Sequence, residues 1–297
     1  MATTNNITTT YVGKDSGAFI STVLQSGVTV GTPRVKIHNN VNYKYRINQL
    51  ELSSLIKAAT CDFDATGTIT QTEVWLNVKK LEVNLALCKN DYYADFIGEN
   101  TGAWGALNNG AFLRYLTSII GAFVADANET MVWQGVDGAG AYDGFETLFL
   151  ADATVIDVPT PIVLDATNIA SELRRGTKLA NQTVLQKSDT YIYMGNQAYQ
   201  VFMQSNNDKG NASPCGENCV TFDGIKVFNA HGMTTNAYAI AQQSNLHWGS
   251  WMTSDLNRIA VIDQEPLDGS DNMNFVMKYF AGVQHGIGAE ITFYSGV

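Results

Sequence analysis

Residues 274–294, NFVMKYFAGVQHGIGAEITFY, carry the clearest period in the chain. Phe275, Met277 and Tyr279 alternate with Val276, Lys278 and Phe280, and Ile287, Ala289, Ile291 and Phe293 resume the period of two. Such alternation sends successive side chains to opposite faces of a pleated strand. The stretch reads as one long strand, interrupted by Gly282, Gly286 and Gly288 around His285. Glycines inside a strand mark a bulge or a bend between two paired stretches. His285 beside them reads as a bystander to the bend and not as a catalytic group.

Upstream of it lie further short extended segments: TYIYMG (190–195), FDGIKVFNA (222–230), YAIAQQSNLHWGSW (238–251) and LNRIAVID (256–263). The period changes in the middle of the chain. Phe112, Leu116, Ile119, Ile120, Phe123 and Val124 recur at steps of three and four, which predicts a long amphipathic helix from about Asn108 through Ala127. A polar helix is expected over NIASELRRGTKLANQTVLQ (168–186), and a short one over QAYQVFMQS (197–205), capped by Asn196. Nearer the start, VKIHNNVNYKYRINQLEL (35–52) and ITQTEVWLNVKKLEVNLAL (69–87) flank the turn FDATGT and read as a long hairpin. Little in that hairpin predicts a core of its own, so it should project. Residues 1–30 are Thr/Asn-rich and read as an extended arm. The class is α+β: hairpin first, one dominant helix in the middle, strands to close.

Composition narrows the function. Among 297 residues only 15% are charged, against a usual quarter or so, while 45% are hydrophobic. So much uncharged surface suits wide contacts between subunits. A net charge of −10, with no Lys/Arg run, argues against a tight grip on nucleic-acid phosphates. The segment MATTNNITTTYVGKDSG has neither a basic nor an apolar region of the signal-peptide kind, and FLRYLTSIIGAFVA is too short, and broken by Arg114, to span a bilayer. The four cysteines are therefore read as thiols of a reducing cytosol.

Four motifs bear on chemistry. In DFDATGTITQTE, residues Asp62, Asp64, Thr66, Gly67, Ile69 and Glu73 match the spacing of a calcium loop, with Asp62, Asp64, Thr66 and Glu73 as its oxygen ligands. Thr66 is a poor ligand type, TGTIT favours strand over an exiting helix, and no second loop pairs with it. A hairpin tip made of ordinary turn residues is the preferred reading, and no metal is assigned. CGENC (Cys215–Cys219) sits in a turn-rich loop, with Cys61 and Cys88 distant, and is read as free thiols rather than a zinc site or a staple. GAGAYDG (138–144) has Asp143 where a dinucleotide fingerprint needs glycine. His38, His231, His247 and His285 are scattered, with no pair at helical spacing. No nucleophile motif appears, so no catalytic residue, cofactor or enzymatic activity is expected.

The order of parts resembles that of the major capsid proteins of tailed double-stranded DNA bacteriophages, the Hong-Kong-97-like fold. GIKV (224–227), YAIAQQSNLHWGSW, LNRIAVID and the closing stretch carry the resemblance most clearly. It implies an N-terminal arm (1–30), an E-loop hairpin (31–85), a P domain (86–163) with its spine helix at about 108–130, an A domain (164–268) and a C-terminal strand (269–297) returning to the P domain. It further implies a structural protein of the virion, assembled in the host bacterial cytoplasm. Hexamers and pentamers would close into an icosahedral head around double-stranded DNA that is enclosed without sequence-specific binding. Portal, scaffold and decoration proteins would be partners, and no membrane would be involved. Some members of that family weld subunits through a Lys–Asn bond. Lys57, Lys79 and Lys80 lie in the hairpin region, but no matching Asn and acid are evident, so no crosslink is expected. Two alternatives are kept: an encapsulin-type compartment shell, whose short N-terminal helix the Thr/Asn-rich start does not suit, and a calcium-dependent binding protein built on Asp62–Glu73.

Overall fold

The computed structural model describes residues 8–12, 27–32, 34–53, 56, 61, 67–88, 109–208, 220–251 and 258–296. The order opens with β1 (Thr8–Val12), α1 (Val28–Gly31), β2 (Lys36–His38), β3 (Lys44–Ser53), β4 (Thr68–Asn77) and β5 (Lys79–Cys88). The middle holds α2 (Asn109–Gln134), α3 (Phe145–Ala151), β6 (Ile156–Asp157), α4 (Ile169–Leu179), α5 (Gln182–Leu185), β7 (Thr190–Met194) and α6 (Asn196–Asp208). The remainder runs β8 (Thr221–Phe222), β9 (Ile225–Asn229), β10 (Tyr238–Gln242), β11 (Leu246–Ser250), β12 (Arg258–Asp263), α7 (Glu265–Asp268), β13 (Asn272–His285) and β14 (Thr292–Tyr294). This is a mixed α/β chain with two six-stranded sheets and a separate two-stranded hairpin, β3–β4.

The closing stretch is two strands in two sheets, not one strand with a bend. β13 organises the first sheet. One of its edges pairs with β5 over ten residues, from Asn272↔Cys88 to Ala281↔Lys79. The other edge takes β12 over Met273–Lys278 and β11 over Ala281–His285. β14 instead joins the second sheet, between β10 and β6. The break has a specific cause. Asn245 Oδ1 accepts from Ile287 N at 2.7 Å, its Nδ2 donates to Ile287 O at 2.8 Å, and its own carbonyl accepts from Gly286 N. One asparagine thus claims the backbone that a sheet neighbour would need. Gly282, expected at the bend, lies inside β13. A Cβ there would sit 2.2 Å from the Asn77 carbonyl oxygen, so the glycine allows a close strand approach.

The alternation itself is realised. Met273, Phe275, Met277, Tyr279, Ala281 and Val283 are buried, while Asn274, Val276, Lys278 and Phe280 are half-buried. The sealed face packs with Ile120, Val124, Val132 and Trp133 of α2 and with Phe145 and Phe149 of α3 in one hydrophobic core. Trp133 lies 5.4 Å from Phe145 and 5.5 Å from Tyr193 between ring centroids. α2 runs to Gln134, several residues past the expected end at Ala127.

The second sheet is covered on both faces. Along β7, Tyr191 and Tyr193 enter the first core, whereas Ile192 and Met194 enter a second one with Ile169 and Leu173 of α4 and Ala198 and Phe202 of α6. All five β7 residues are buried, which is why TYIYM shows no polar face. The single expected helix over 168–186 is two helices. Asn181 caps the second, its side chain accepting from Thr183 N at 3.0 Å. Asn196 is the first residue of α6 rather than its cap.

Candidate functional site

The sequence pattern predicts residues 69–87 as one limb of the hairpin, but the chain divides at Val78. β4 stays with β3 in an antiparallel ladder of ten residue pairs, Lys44↔Asn77 through Ser53↔Thr68, and β5 crosses into the first sheet. Residues 36–38 likewise leave the other limb to pair in parallel with β11, Lys36 opposite His247. The hairpin that remains is about 34 Å long at ~3.4 Å per residue.

Its root is anchored. Val41, Ile47, Leu76 and Val78 form a small core of their own, with Val74 and Phe280 against it. A Cβ on Gly249 would sit 2.7 Å from Leu76 Cδ2, so glycine in β11 makes room for that leucine. Val78 N donates to Tyr43 O at 3.1 Å and closes the base. Beyond the root, and on the opposite face at the root itself, the ladder loses cover. Leu50 is 62% exposed, Ile69 66% and Trp75 47%, all three on the face that also carries Arg46 and Glu73. A two-stranded ribbon with apolar side chains in water gains little from its own subunit. That exposed surface and the adjacent groove form the candidate site.

The groove has a volume of about 490 Å³. β3 makes one wall through Tyr45–Leu50, and Gln242, Ser244, Asn245, Gly286, Ile287 and Glu290 make the other, with Lys36, Lys187 and His247 between. At its inner end, His38 Nε2 and His247 Nδ1 lie 2.9 Å apart, and the His38 ring packs against Tyr45 at 4.3 Å between centroids. Burial, then His38, then Lys36 pull the His247 pKa down to about 4. Burial and Lys36 also lower His38. The pair is therefore a neutral, hydrogen-bonded clamp near pH 7, tying β2 to β11 at the hairpin root.

Sequence reading missed this pair because its members are 209 residues apart and the parallel β2–β11 pairing alone brings them together. Three further ties escaped it. His285 Nε2 is 2.8 Å from Asp152 Oδ2, and the ring meets Phe149 edge-on at 5.6 Å. Burial raises the Asp152 carboxyl, but hydrogen bonds from His285 and Thr154 outweigh it and hold the pKa below the usual value. Glu129, buried on α2, accepts from Thr29 N at 3.1 Å and from the Thr29 hydroxyl, while Trp133 Nε1 donates to Thr29 Oγ1 at 2.9 Å. Burial raises the Glu129 pKa despite these bonds. Glu146 accepts from Thr234 N and from its hydroxyl, both at 2.6 Å. Each of these groups fastens one element to another.

Of the calcium pattern, only Glu73 is among the described ligands; Asp62, Asp64 and Thr66 lie outside the described residues. Glu73 stands in mid-strand opposite Asn48, and Arg46 Nη1 donates to its Oε1 at 2.8 Å. Among the described residues, no group of three or more His, Cys, Asp or Glu is placed to hold a metal ion. Cys215, Cys219 and Lys57 also lie outside the described residues; Cys61 and Cys88 are free thiols. Lys79 pairs with Asp137, and Lys80 is exposed. No described helix is long and apolar enough to cross a membrane.

No family model and no curated protein matches this sequence. Solved structures do match in fold. A chain of the satellite phage P4 procapsid, a structure that includes the size determination protein, is similar at a TM-score of 0.63 and 10% identity, covering 94% of this chain and 99% of that one. The capsid of a native GTA particle aligns at 0.59 and 13% identity, over 89% and 88%. A virus-like particle from Pyrococcus furiosus aligns at 0.52 and 9% identity, over 95% and 98%. At such identities the likeness is one of fold, and the fold is that of phage capsid proteins.

Proposed function

We propose that the chain is a major capsid protein, many copies of which form hexamers and pentamers that close into the icosahedral head enclosing phage double-stranded DNA. One observation carries this reading. A ten-pair hairpin with Leu50, Ile69 and Trp75 in water is anchored by a packed root to a chain with the phage-capsid fold. An arm built so has its partners outside its own subunit, and assembled stability is then a sum over many repeated contacts. The role is structural and not enzymatic.

In this reading residues 1–30 are the N-terminal arm and 31–85 the E-loop. Residues 86–163 form the P domain, with α2 as its spine helix, 164–268 the A domain, and 269–297 the strand that returns. Of these, the β3–β4 hairpin lies across neighbours, while β1, β2 and β5 stay in the subunit's own first sheet, and the A domains meet at the capsomer centre. Portal, scaffold and decoration proteins are the further partners, and assembly takes place in the host cytoplasm. The DNA is contained without base-specific contacts, in keeping with a chain of net charge −10.

Negative-stain microscopy of the purified chain tests the reading: closed shells or ring-shaped capsomers are expected, and a monomer at all concentrations overturns it. The likeness to the Pyrococcus virus-like particle sustains a second reading, an encapsulin-type compartment around protein cargo. Nuclease-protected DNA in particles from the native source supports the phage head, and a co-purifying enzyme in place of DNA supports the compartment.

A further inference from the structure

The groove beside the hairpin holds groups that the folded chain leaves unused. Tyr45 through Leu50 are consecutive, so their side chains alternate between the two faces of β3. A strand that lines a groove with all six presents its edge to it. Among the described strands β3 pairs only with β4, so no described strand meets the N–H and C=O groups of that edge. On the opposite wall Gln242 is only 3% exposed, and its Oε1 accepts from Lys187 Nζ at 3.2 Å. An ammonium group only donates, so this contact orients the amide and leaves Nε2 a buried donor without an acceptor. Gln49 Nε2, on the β3 wall, is a second such donor.

A small anion would satisfy an amide but leave the strand edge open. An extended polypeptide satisfies both, pairing its main chain with β3 and offering carbonyl oxygens to the amides. Resting on the shell reading, and deepening it, we propose that this groove is a strand-accepting cleft in which an extended segment of a second copy of the chain pairs with the free edge of β3. Charge is consistent with that occupant. Of the groove's cations Arg46 is paired with Glu73 and Lys187 lies 3.8 Å from Glu290, which leaves Lys36 to face a segment of a chain that carries 28 acidic residues and 18 basic ones. The groove also sits at the foot of an arm whose exposed face already requires a neighbour.

The test places a photo-crosslinking residue at Asn48 of the full chain and mixes isotope-labelled with unlabelled copies before assembly. Crosslinked peptides of mixed label in assembled particles are expected, and mass spectrometry then names the inserted segment. Shells that form with same-label crosslinks only, or with none from position 48, overturn the cleft and leave the shell reading standing. A chain that never assembles overturns both. A second variant, Gln242→Glu, keeps an oxygen for Lys187 and exchanges the donor for an acceptor. It should raise the concentration needed for assembly about tenfold or more while the melting temperature of the unassembled chain stays put. Assembly at the wild-type concentration would overturn the proposal.

Discussion

β13 makes ten antiparallel residue pairs with β5, and β3 makes ten with β4, yet the surroundings of the two ladders are opposite. β13 has partners on both edges and one face sealed against α2 and α3. The hairpin has a small core at its root and, farther out, apolar side chains in water. Main-chain pairing alone therefore does not say what a strand is for. Side-chain burial separates a strand that holds the subunit together from one that holds something beyond it.

That contrast can be broken most forcefully at Phe275, which is 1% exposed in the main core. Phe275→Ala should destabilise the unassembled chain by about 3–5 kcal/mol, measured by urea denaturation; a loss below about 1 kcal/mol would contradict the role given to β13. Next comes Gly282→Ala, whose new methyl group would collide with the Asn77 carbonyl where β4 hands over to β5. A loss of about 1–3 kcal/mol is expected, with the hairpin root displaced in hydrogen exchange.

The histidine clamp should make stability depend on pH. Both folded pKa values are lowered, so the clamp's contribution is complete above the ordinary histidine value of 6.5 and is lost as pH falls toward about 4. Denaturation midpoints should fall over that window, and His247→Gln should flatten the slope. An equal slope in the variant would remove the clamp from the account. Leu50→Ser, by contrast, should change monomer stability by no more than ~0.5 kcal/mol while impairing assembly in light scattering, since the side chain is 62% exposed. Glu73→Gln, which removes an exposed ion pair with Arg46, should cost about 0.2–1 kcal/mol and leave assembly unchanged. Millimolar calcium should shift the melting temperature of neither form; a rise in the wild type alone would revive the calcium loop.

Much of this was legible because strand and helix periods are local. The long helix, the hairpin and the alternation of Phe275, Met277 and Tyr279 follow from side-chain spacing. The candidate site was half legible: a projecting arm with little core could be read, but its groove could not, since the groove's walls come from Lys36, residues 45–50, Lys187 and parts of 242–247 and 286–290. Gly282 illustrates the limit within one residue. Sequence marks it as unusual, and only the approach of Asn77 from two hundred residues away explains it.

By itself, then, the sequence determined which stretches are extended, which are helical, and which faces are apolar, because backbone geometry converts spacing directly into facing. The tertiary structure decided which edges meet. It split 69–87 between hairpin and sheet, split 274–294 between two sheets through Asn245, and joined His38 to His247. Pairing of that kind depends on backbone hydrogen bonds that every residue but proline can make, so the residue types in a strand do not name its partner. The competition among all available edges and faces does.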